Sequence, residues 1–505
     1  MKPIGTLRYT ALTFLLSAST FLPANYAIDP PREIWSQQTS VDPGNGFEVV
    51  LDAAGNALHL WSSHTNSILA KFSSGGAPIW RREIPADLTP LQLDQAGNAV
   101  VAGRLKEIVG GSERTNFYTA KFAGTTGNVV WEQRYPENRQ LHDWIDLKLE
   151  GDNVIVLSAQ SVVPISDPDT TLTKYSGADG TQLWQQKVGP GAGIIAVGTN
   201  GTLAVWLGST LKKLSSVTGS ELWSATQSHL TNNFSCSEMI FGHNGDIAIT
   251  GVDYPAAYVW GRMYTGKFSG TDGKLIWENW ITPLNLSGVL DTYGQRVIEL
   301  PDGDIVALGM RGSGTQGYAN TPHIVRYASE DGKELWSKHY SFSESPNVPR
   351  DRFPYLTTMK RDGGDGNIIF GVATFFYTFS SSRSATFEVS AATGDKVWQL
   401  THTNHFLPAF DYRGGKLVVG GQERSTSSAL VKLFRDGPEL SITPVNTTEF
   451  EIGWSTDYRG WKLQRLTTSL DSSAPAWTPV PGSEGTTTMR LSKEQNSGGI
   501  FQLVQ

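Results

Sequence analysis

Short apolar runs along the chain alternate with turns that contain glycine. In eight places an apolar run follows such a turn, which is the pattern of a tight β-hairpin because glycine adopts positive φ at little steric cost. We predict that each turn joins two strands, A and B. The eight segments are DAAGNALHL (52–60), DQAGNAVVA (94–102), LEGDNVIVL (149–157), GTNGTLAVW (198–206), GHNGDIAIT (242–250), PDGDIVALG (301–309), GGDGNIIFG (363–371) and YRGGKLVVG (412–420).

A second hairpin pattern follows the first in register and ends on a tryptophan four residues after a glycine. Its fullest form is Lys-Phe/Tyr, four residues, Gly, three residues, Trp, as in KFAGTTGNVVW (121–131) and KFSGTDGKLIW (267–277). We predict that strand C ends before this turn and that strand D carries the tryptophan. The pairs are Gly76/Trp80, Gly127/Trp131, Gly180/Trp184, Gly219/Trp223, Gly273/Trp277, Gly332/Trp336 and Gly394/Trp398.

Four strands repeated at intervals of roughly 50 residues are typical of the blades of a β-propeller. The eighth A–B hairpin is followed by Gly437 without a tryptophan, while Trp35 stands near the N-terminus without a blade before it. We therefore predict an all-β fold: an eight-bladed β-propeller over residues 28–437, whose last blade is completed by the N-terminal strand that contains Trp35. Such closure removes two exposed strand edges. We expect all eight tryptophans to pack between blades, with a ligand role as the alternative.

After Pro438 the period ends and shorter strand-like runs begin. Residues 440–445, 449–454, 461–466, 487–491 and 500–504 alternate with turns, which predicts a small β-sandwich over residues 438–505, similar to a fibronectin type III module. Three tryptophans of this segment are predicted to be core or interface residues, with sugar binding as the alternative: Trp454, Trp461 and Trp477.

The first 27 residues have the features of a secretory signal peptide. Lys2 and Arg8 precede or flank a short apolar stretch that is too short to span a membrane comfortably, and we expect export to the periplasm or beyond the cell. Loss of this segment would change the formal net charge from −7 to −9, which argues against nucleic acid and anionic membranes as partners. Cys236 is the only cysteine, so no internal disulfide can form.

The Gly-x-x-x-Trp strand after a small-residue turn resembles the tryptophan-docking motif of quinoprotein (PQQ-like) β-propellers. Residues 391–398 (AATGDKVW) and 126–131 (TGNVVW) match it best, and the resemblance covers about residues 28–437. It implies the fold, commonly with eight blades, whereas many members of the family bind no quinone. The dehydrogenases of the family imply a calcium-bound quinone, an aspartate base and often a disulfide, and one cysteine cannot supply that disulfide.

This chain also departs from the docking motif itself. The motif's aspartate, four residues before the glycine, is replaced by small residues: Ala123, Ser176, Ser215, Ser269, Ala328 and Ser390. Six residues before the glycine stands a basic column: Lys121, Lys174, Lys213, Lys267 and Arg326. We interpret this column as solvated strand surface, with a ring of anion contacts as the alternative.

In a propeller, the A–B and C–D turns lie on one face, here called the short-turn face. The B–C and D–A connections lie on the other, the long-loop face, where most connections are long and blade four is expected to be the exception. Variable loops on a rigid scaffold often carry function. We predict binding candidates on this face, with ordinary solvated loop residues as the alternative: His142, Asp143, Asp291, Tyr293, Arg350, Asp351, Arg352, His402, His405, Trp260 and Tyr377.

These candidates suggest recognition more than catalysis. The two arginines could hold a carboxylate in a bidentate contact, and the aromatic residues could stack on sugars, anchor a protein or simply pack on the blades. His402 and His405 have a spacing that suits a shared metal only on a helix, and none is expected there. We therefore predict a monomeric binding scaffold for a protein or polysaccharide, without catalytic residues, metal or cofactor. The alternative is an oxidoreductase that depends on PQQ and calcium or on another metal.

Overall fold

The computed structural model describes most of the chain. The described residues are 12–13, 31–39, 46–62, 66–109, 112–135, 144–160, 169–231, 233–255, 261–282, 292–313, 319–340, 354–362, 366–374, 383–403, 405–423, 428–435, 441–446, 448–454, 462–466, 477–484, 486–492 and 500–504. The chain divides into two compact units, Glu33–Phe434 and a second unit of Met1–Arg32 with Arg435–Gln505.

The larger unit consists of eight four-stranded antiparallel sheets, which confirms the predicted propeller. The chain begins with β1 (Leu12–Thr13) and β2 (Arg32–Thr39), of which β2 belongs to this unit.

Strands A to D of blade one are β3–β6 (Gly46–Leu51, Ala57–Ser62, Ser67–Phe72, Pro78–Ile84), and those of blade two are β7–β10 (Asp87–Leu93, Ala99–Val109, Ser112–Phe122, Val129–Tyr135). Strands A to D of blade three are β11–β14 (Trp144–Glu150, Asn153–Gln160, Asp169–Tyr175, Gln182–Pro190), and those of blade four are β15–β18 (Gly193–Val197, Thr202–Leu207, Thr210–Ser215, Glu221–Thr226). In blades five to seven they are β19–β22 (Ser235–Phe241, Ile247–Asp253, Arg262–Phe268, Leu275–Ile281), β23–β26 (Tyr293–Glu299, Ile305–Ser313, Ala319–Tyr327, Glu334–His339) and β27–β30 (Pro354–Arg361, Ile368–Thr374, Arg383–Val389, Lys396–Thr403).

Blade eight confirms the predicted closure of the ring. Its first three strands are β31–β33 (His405–Arg413, Lys416–Glu423, Ser428–Arg435), and its fourth is β2, which pairs with β33. The innermost strands contact one another in cyclic order, and β31 contacts β3 of blade one. The cores are therefore apolar layers between neighbouring blades, here called seams. One of them joins Phe47 and Val49 of blade one to Phe406 and Val418 of blade eight.

Each outer hairpin contains a β-bulge directly before its tryptophan. In blade two, Val129 pairs with Phe122 and Trp131 with Lys121, so Val130 has no partner in the ladder. A bulge of this kind increases the local twist and turns the next side chain. The residue before the tryptophan is accordingly an exposed aliphatic one in most blades: Ile34, Ile79, Val130, Leu183, Leu222, Ile276 and Leu335.

Two connections on the long-loop face are shorter than expected. In blade two, strands β8 and β9 extend until Val109 pairs with Ser112, which leaves only two residues between them. Between blades seven and eight, β30 ends at Thr403 and β31 begins at His405. The expected short B–C connection of blade four is present, since Leu207 pairs with Thr210.

The smaller unit is built from two antiparallel sheets that share one core. The strands are β34–β39: Ser441–Pro444, Glu449–Gly453, Lys462–Leu466, Trp477–Pro479, Thr488–Ser492 and Ile500–Val504. The sheet orders are β34-β35-β38 and β1-β39-β36-β37, so Leu12 and Thr13 pair with Phe501 and Ile500. Ile452 and Trp454 from one side pack with Leu463 and Phe501 from the other. This is a small β-sandwich, and the fibronectin type III resemblance stays a prediction.

Candidate functional site

At the short-turn face, seven of the eight docking tryptophans lie against the outer turn of the next blade. The indole Nε1 donates a hydrogen bond to a backbone carbonyl of that turn at 2.9–3.3 Å: Trp35 to Ser74, Trp80 to Gly124, Trp131 to Gly177, Trp184 to Ser216, Trp223 to Gly270, Trp277 to Ser329 and Trp336 to Ala391. Trp398 is buried with Leu430 and Phe434 of blade eight. The indoles are therefore engaged between blades.

Three members of the basic column are buried and the other two, Lys213 and Arg326, are partly buried, so its interpretation as solvated surface is wrong. Lys121 is 5% exposed, and its Nζ donates to the Gly177 carbonyl at 2.7 Å, the same oxygen that accepts from Trp131. The other members share their acceptor with a tryptophan in the same way: Lys71 at Gly124, Lys174 at Ser216, Lys213 at Gly270, Lys267 at Ser329 and Arg326 at Ala391. Only a long cationic side chain can satisfy a carbonyl across the seam from strand C.

A carboxylate of the same blade's A–B turn neutralises most of these cations. Asp52 Oδ2 lies 2.7 Å from Lys71 Nζ, and Asp94 Oδ2 lies 2.5 Å from Lys121 Nζ. Glu150 pairs with Lys174, and Asp304 lies 2.7 Å from Arg326. Blade seven departs from the pattern, because Glu388 takes the position opposite Trp398 and accepts from Asn367 at 2.8 Å. Most members of the column are thus held in internal ion pairs.

The innermost strands place charged side chains that the sequence interpretation missed. They include Glu48, Asp146, Glu238, Arg296 and Asp411. Three of the carboxylates bridge to the next inner strand: Asp411 accepts from Leu51 N at 2.8 Å, Asp146 from Ile195 N at 3.0 Å and Glu238 from Val297 N at 2.6 Å. Their sequence signal is a charged residue inside an otherwise apolar A strand.

Glu48 is the most perturbed carboxyl of the inner strands. Burial raises its pKa to about 7, although the positive charges of Arg296, Lys148 and Lys360 act in the opposite direction. Glu48 lies on the innermost strand of blade one, and the three cations lie on the innermost strands of blades six, three and seven. The electric fields of these charged groups therefore overlap near the axis of the ring. Near neutral pH Glu48 can therefore exchange a proton.

The inner carboxylates do not fit a calcium-bound quinone. Asp411 also pairs with Lys360 at 2.8 Å, and Asp146 with Lys148 at 2.9 Å, so these oxygens are occupied by lysines and backbone N–H groups. Calcium requires six to eight oxygen ligands at one point. Among the described residues, no three His, Cys, Asp or Glu side chains are arranged to hold a metal ion.

Most of the predicted binding residues lie outside the described residues. These are His142, Asp143, Asp291, Arg350, Asp351, Arg352, Trp260 and Tyr377. Tyr293, His402 and His405 are described, and they belong to three different strands, β23, β30 and β31. Among the described candidates, Tyr293 lies in blade six, whereas His402 and His405 lie in the adjoining blades seven and eight.

His402 and His405 were expected in a loop, which is wrong. His402 lies in β30 and is 6% exposed, and its ring packs against Phe434 in a tilted arrangement with centroids 5.3 Å apart. Burial lowers the pKa of His402 to about 3. His405 Nε2 lies 2.5 Å from Glu423 Oε2. Only residue 404 separates β30 from β31, because the apolar alternation of β31 extends back to Phe406. The pair is held in blades seven and eight as packing residues.

A polar cluster in blade five was not predicted. His229 Nε2, in the connection before β19, lies 3.2 Å from Glu278 Oε2 and 3.3 Å from Tyr264 Oη. Tyr264 meets Trp280 edge-on at 4.6 Å, and burial together with Glu278 raises the pKa of Tyr264 far above its usual value. Tyr264 thus remains a protonated hydrogen-bond donor. The sequence signal was weak, because these residues are far apart along the chain.

Arg262 extends this cluster towards the B–C connection. Its guanidinium lies 3.7 Å from the Trp280 ring centroid and 2.8 Å from Asp253, whose carboxylate is buried. Thr231 caps the same carboxylate at 2.6 Å and fixes the preceding connection. The arrangement offers hydrogen bonds and an aromatic edge, which suits recognition of a polar partner.

These features define the class of protein, an eight-bladed β-propeller with buried Lys–Trp contacts between its blades. Residues 168–314 match the family model described as outer membrane protein assembly factor BamB. This part of the chain is therefore similar to the PQQ-like, BamB-type β-propeller repeats that the model describes. No curated protein matches the chain.

Among solved structures, the chain is similar to the computationally designed Ika8 protein. The identity is 11%, the TM-score is 0.48, and the match covers 80% of this chain and 99% of that one. A chain of the mitotic checkpoint complex matches at 10% identity and a TM-score of 0.43, covering 69% and 89%. Virginiamycin B lyase from Staphylococcus aureus matches at 8% and 0.36, covering 66% and 95%. These similarities concern the fold alone.

The described part of the chain contains no helix that could cross a membrane.

Proposed function

We propose that this protein is an exported, monomeric, non-catalytic scaffold that binds a protein or polysaccharide partner through its long-loop face. Export is suggested by the features of residues 1–27, and the absence of a recognisable catalytic motif in the sequence favours binding. The long-loop face is favoured over the short-turn face for one structural reason, the distribution of polar groups without a partner.

Buried polar atoms of the propeller that lack a hydrogen-bond partner avoid the short-turn face. Among the described residues, the following atoms all lie outside the A–B and C–D turns: Thr39 Oγ1, His59 Nε2, Trp61 Nε1, Thr292 Oγ1, His323 Nδ1, His402 Nε2 and His405 Nδ1. Buried polar groups without a partner are costly, and they are often retained where a ligand or water uses them. In six of the eight seams, by contrast, a lysine or arginine and a tryptophan satisfy a backbone carbonyl near the short-turn face.

A protein partner is the first candidate. The matching family model is named for an outer membrane protein assembly factor, and an assembly factor works on other proteins. The test is site-specific photo-crosslinking in cells, with the photoreactive residue at position 260 or 377 on the long-loop face and at the exposed Asp272 on the short-turn face. We expect crosslinks to one defined protein from positions 260 and 377 and none from position 272. Equal crosslinking from both faces would contradict the proposal.

A polysaccharide partner is tested with the same loops. If the aromatic loops stack on sugars, a Trp260→Ala/Tyr377→Ala double variant should lose binding on a glycan array while it keeps the thermal stability of the wild type. A blank array with the wild-type chain removes this version of the proposal.

The alternative function, a PQQ- or metal-dependent oxidoreductase, rests on fold resemblance. Purified protein incubated with pyrroloquinoline quinone and calcium should then develop a cofactor spectrum and oxidise alcohols with an artificial electron acceptor. That result would overturn the proposal of a non-catalytic scaffold.

A further inference from the structure

In the seam between blades five and six, three basic groups of blade six form no ion pair with any described residue. Arg311 of β24, His323 of β25 and His339 of β26 lie in one sheet, where His323 and His339 pair directly across the strands. Their rings stack with centroids 4.0 Å apart and an interplanar angle of 16°. Arg311 Nη1 lies 3.5 Å from His339 Nε2.

This group faces blade five near the long loops. Arg311 Nε donates to the carbonyl of Thr282, just beyond the last strand of blade five, at 3.2 Å. In the same sheet, a Cβ on Gly309 would lie 2.7 Å from Met263 Sδ of blade five, so this glycine allows the close approach of the two blades. The three basic groups thus lie where the sheets of blades five and six approach each other closely.

The three side chains extend from the surface to the interior. His339 is exposed, Arg311 is half-buried and His323 is 1% exposed. His323 Nε2 is hydrogen-bonded to Ser337 Oγ at 2.7 Å, whereas its Nδ1 is buried without a partner among the described residues. A polar atom in such a position is a group that a ligand could use.

Among the described residues, Arg311 forms no ion pair, whereas Arg104 pairs with Asp87, Arg262 with Asp253 and Arg326 with Asp304. Burial lowers the pKa of Arg311, with Glu334 as the one carboxylate whose charge opposes this. Burial, with the charges of His339 and Arg311, also lowers the pKa of His323 to about 3. Basic groups that are desolvated without a counter-ion attract an anion.

We propose that Arg311, His339 and His323 form a binding site for a compact oxyanion, a carboxylate or a phosphate, in the seam between blades five and six. Arg311 binds the anion with its planar guanidinium, which matches both carboxylate and phosphate. His339 and His323 donate from ring nitrogens once the anion favours their protonated forms. The proposal goes beyond the proposed function, because a small anion can bind whether or not a macromolecular partner does.

The experiment titrates the purified full chain with inorganic phosphate and, separately, with acetate at constant ionic strength. Binding is followed by calorimetry and by the NMR signals of the histidine rings. We expect saturable binding of at least one of the two anions, and the better one identifies the source, phosphate or carboxylate. The pKa of His339 and His323 should rise on saturation, because an anion stabilises the imidazolium.

Arg311→Gln should weaken binding by at least about tenfold, since one charge-assisted bidentate contact is lost. Arg104→Gln is the matched control, an arginine of the corresponding strand of blade two that already has a carboxylate partner, and it should leave the affinity unchanged. Equal weakening by both variants, or no saturable binding of either anion, would overturn the site. If Arg311→Gln does not fold, the histidine pKa values of the wild type decide, and unchanged values with either anion reject the proposal.

Discussion

At the scale of single residues, two structural requirements select glycine in the C–D turns: a positive φ and a close contact with the tryptophan of the preceding blade. Gly180 has a φ of +74°, and a Cβ there would lie 2.7 Å from Cδ2 of Trp131. The left-handed backbone alone costs a residue with a side chain about 1–2 kcal/mol, and the contact with the indole adds to that. This explains why glycine and tryptophan recur together along the sequence.

Gly180→Ala should therefore destabilise the protein by about 2–4 kcal/mol, measured by urea unfolding. Gly151→Ala is the matched control, because Gly151 also has positive φ but its Cβ would meet nothing within 4 Å. We expect the control to lose only the backbone part, about 1–2 kcal/mol. Equal losses in the two variants would mean that the indole can move away without cost.

The buried lysines make a second prediction at this scale. Lys121→Met removes the cation from Asp94, whose side chain is 1% exposed, and leaves that carboxylate buried without its charge partner. We expect a loss of about 3–5 kcal/mol in the free energy of unfolding. The double variant Lys121→Met/Asp94→Asn should recover part of the loss, because it removes the uncompensated charge.

Lys274→Met is the control for this prediction, since Lys274 pairs with Asp272 at the surface and is 80% exposed. It should show no measurable change in stability. If Lys121→Met behaves like Lys274→Met, the Lys121–Asp94 pair contributes nothing to the seam.

At the scale of the element, the inner strands carry a pH dependence. The pKa of Glu48 is raised from 4.5 to about 7 in the folded protein, so the native state holds a proton that the unfolded chain releases. Its favourable contribution is complete below pH 4.5 and is lost as the pH rises through 7. Glu48→Gln should remove this loss and be more stable than the wild type at pH 8 by up to about 3 kcal/mol.

Chemical unfolding of both chains at pH 5 and pH 8 measures this effect. The advantage of Glu48→Gln should be small at pH 5 and largest at pH 8. An advantage that is the same at both values would point to packing instead of ionisation.

The strands and hairpins could be predicted wherever they depend on residues that are close together in the sequence. The Gly-containing turns determine the hairpins through positive φ, as at Gly97 and Gly245, and the spacing from glycine to tryptophan identifies strand D. The burial of Lys121 was not predictable in this way, because its acceptor, the Gly177 carbonyl, is 56 residues away and belongs to the next blade. The clusters of blades five and six depend on similar long-range contacts, so a single sequence contains no local trace of them.

At the scale of the whole molecule, three buried histidines lie in different seams. His59 faces blade eight at Gly420, His323 faces blade five, and His402 packs on Phe434 of blade eight. Burial lowers the pKa of each to about 3. The contribution of these three histidines to the stability of the native state is therefore complete above pH 6.5. It decreases as the pH drops from 6.5 towards 3, because the unfolded chain then binds protons that the buried rings do not.

His402→Phe tests this dependence with a side chain of similar shape. Each buried histidine costs about 1.4 kcal/mol per pH unit below its normal pKa, so the stability difference between pH 7 and pH 5 should shrink by about 2 kcal/mol in the variant. Urea unfolding at the two pH values measures it. An unchanged difference would show that His402 is protonated in the native state.

The whole ring depends on the strand that comes from the far end of the chain. Strand β2 supplies Trp35, which is 9% exposed and donates to Ser74 at 3.0 Å, and Gln37, which donates to Gly76 at 2.9 Å. Glu33 of the same strand pairs with Lys432 of β33 at 3.0 Å. Without β2, strand β33 becomes an open edge and the outer turn of blade one loses its tryptophan.

A chain that starts at residue 40 should therefore lose far more stability than one that starts at residue 28, although both lack residues 1–27. Loss of the buried tryptophan alone costs about 3–5 kcal/mol, and the lost strand pairing adds to it. Trp35→Phe in the chain from residue 28 keeps the strand and should cost about 1–2 kcal/mol, mainly the indole hydrogen bond. Urea unfolding and limited proteolysis measure the three proteins together. If the chain from residue 40 unfolds at the same urea concentration as the chain from residue 28, the eighth blade closes the ring with three strands, and β2 is an accessory of the fold.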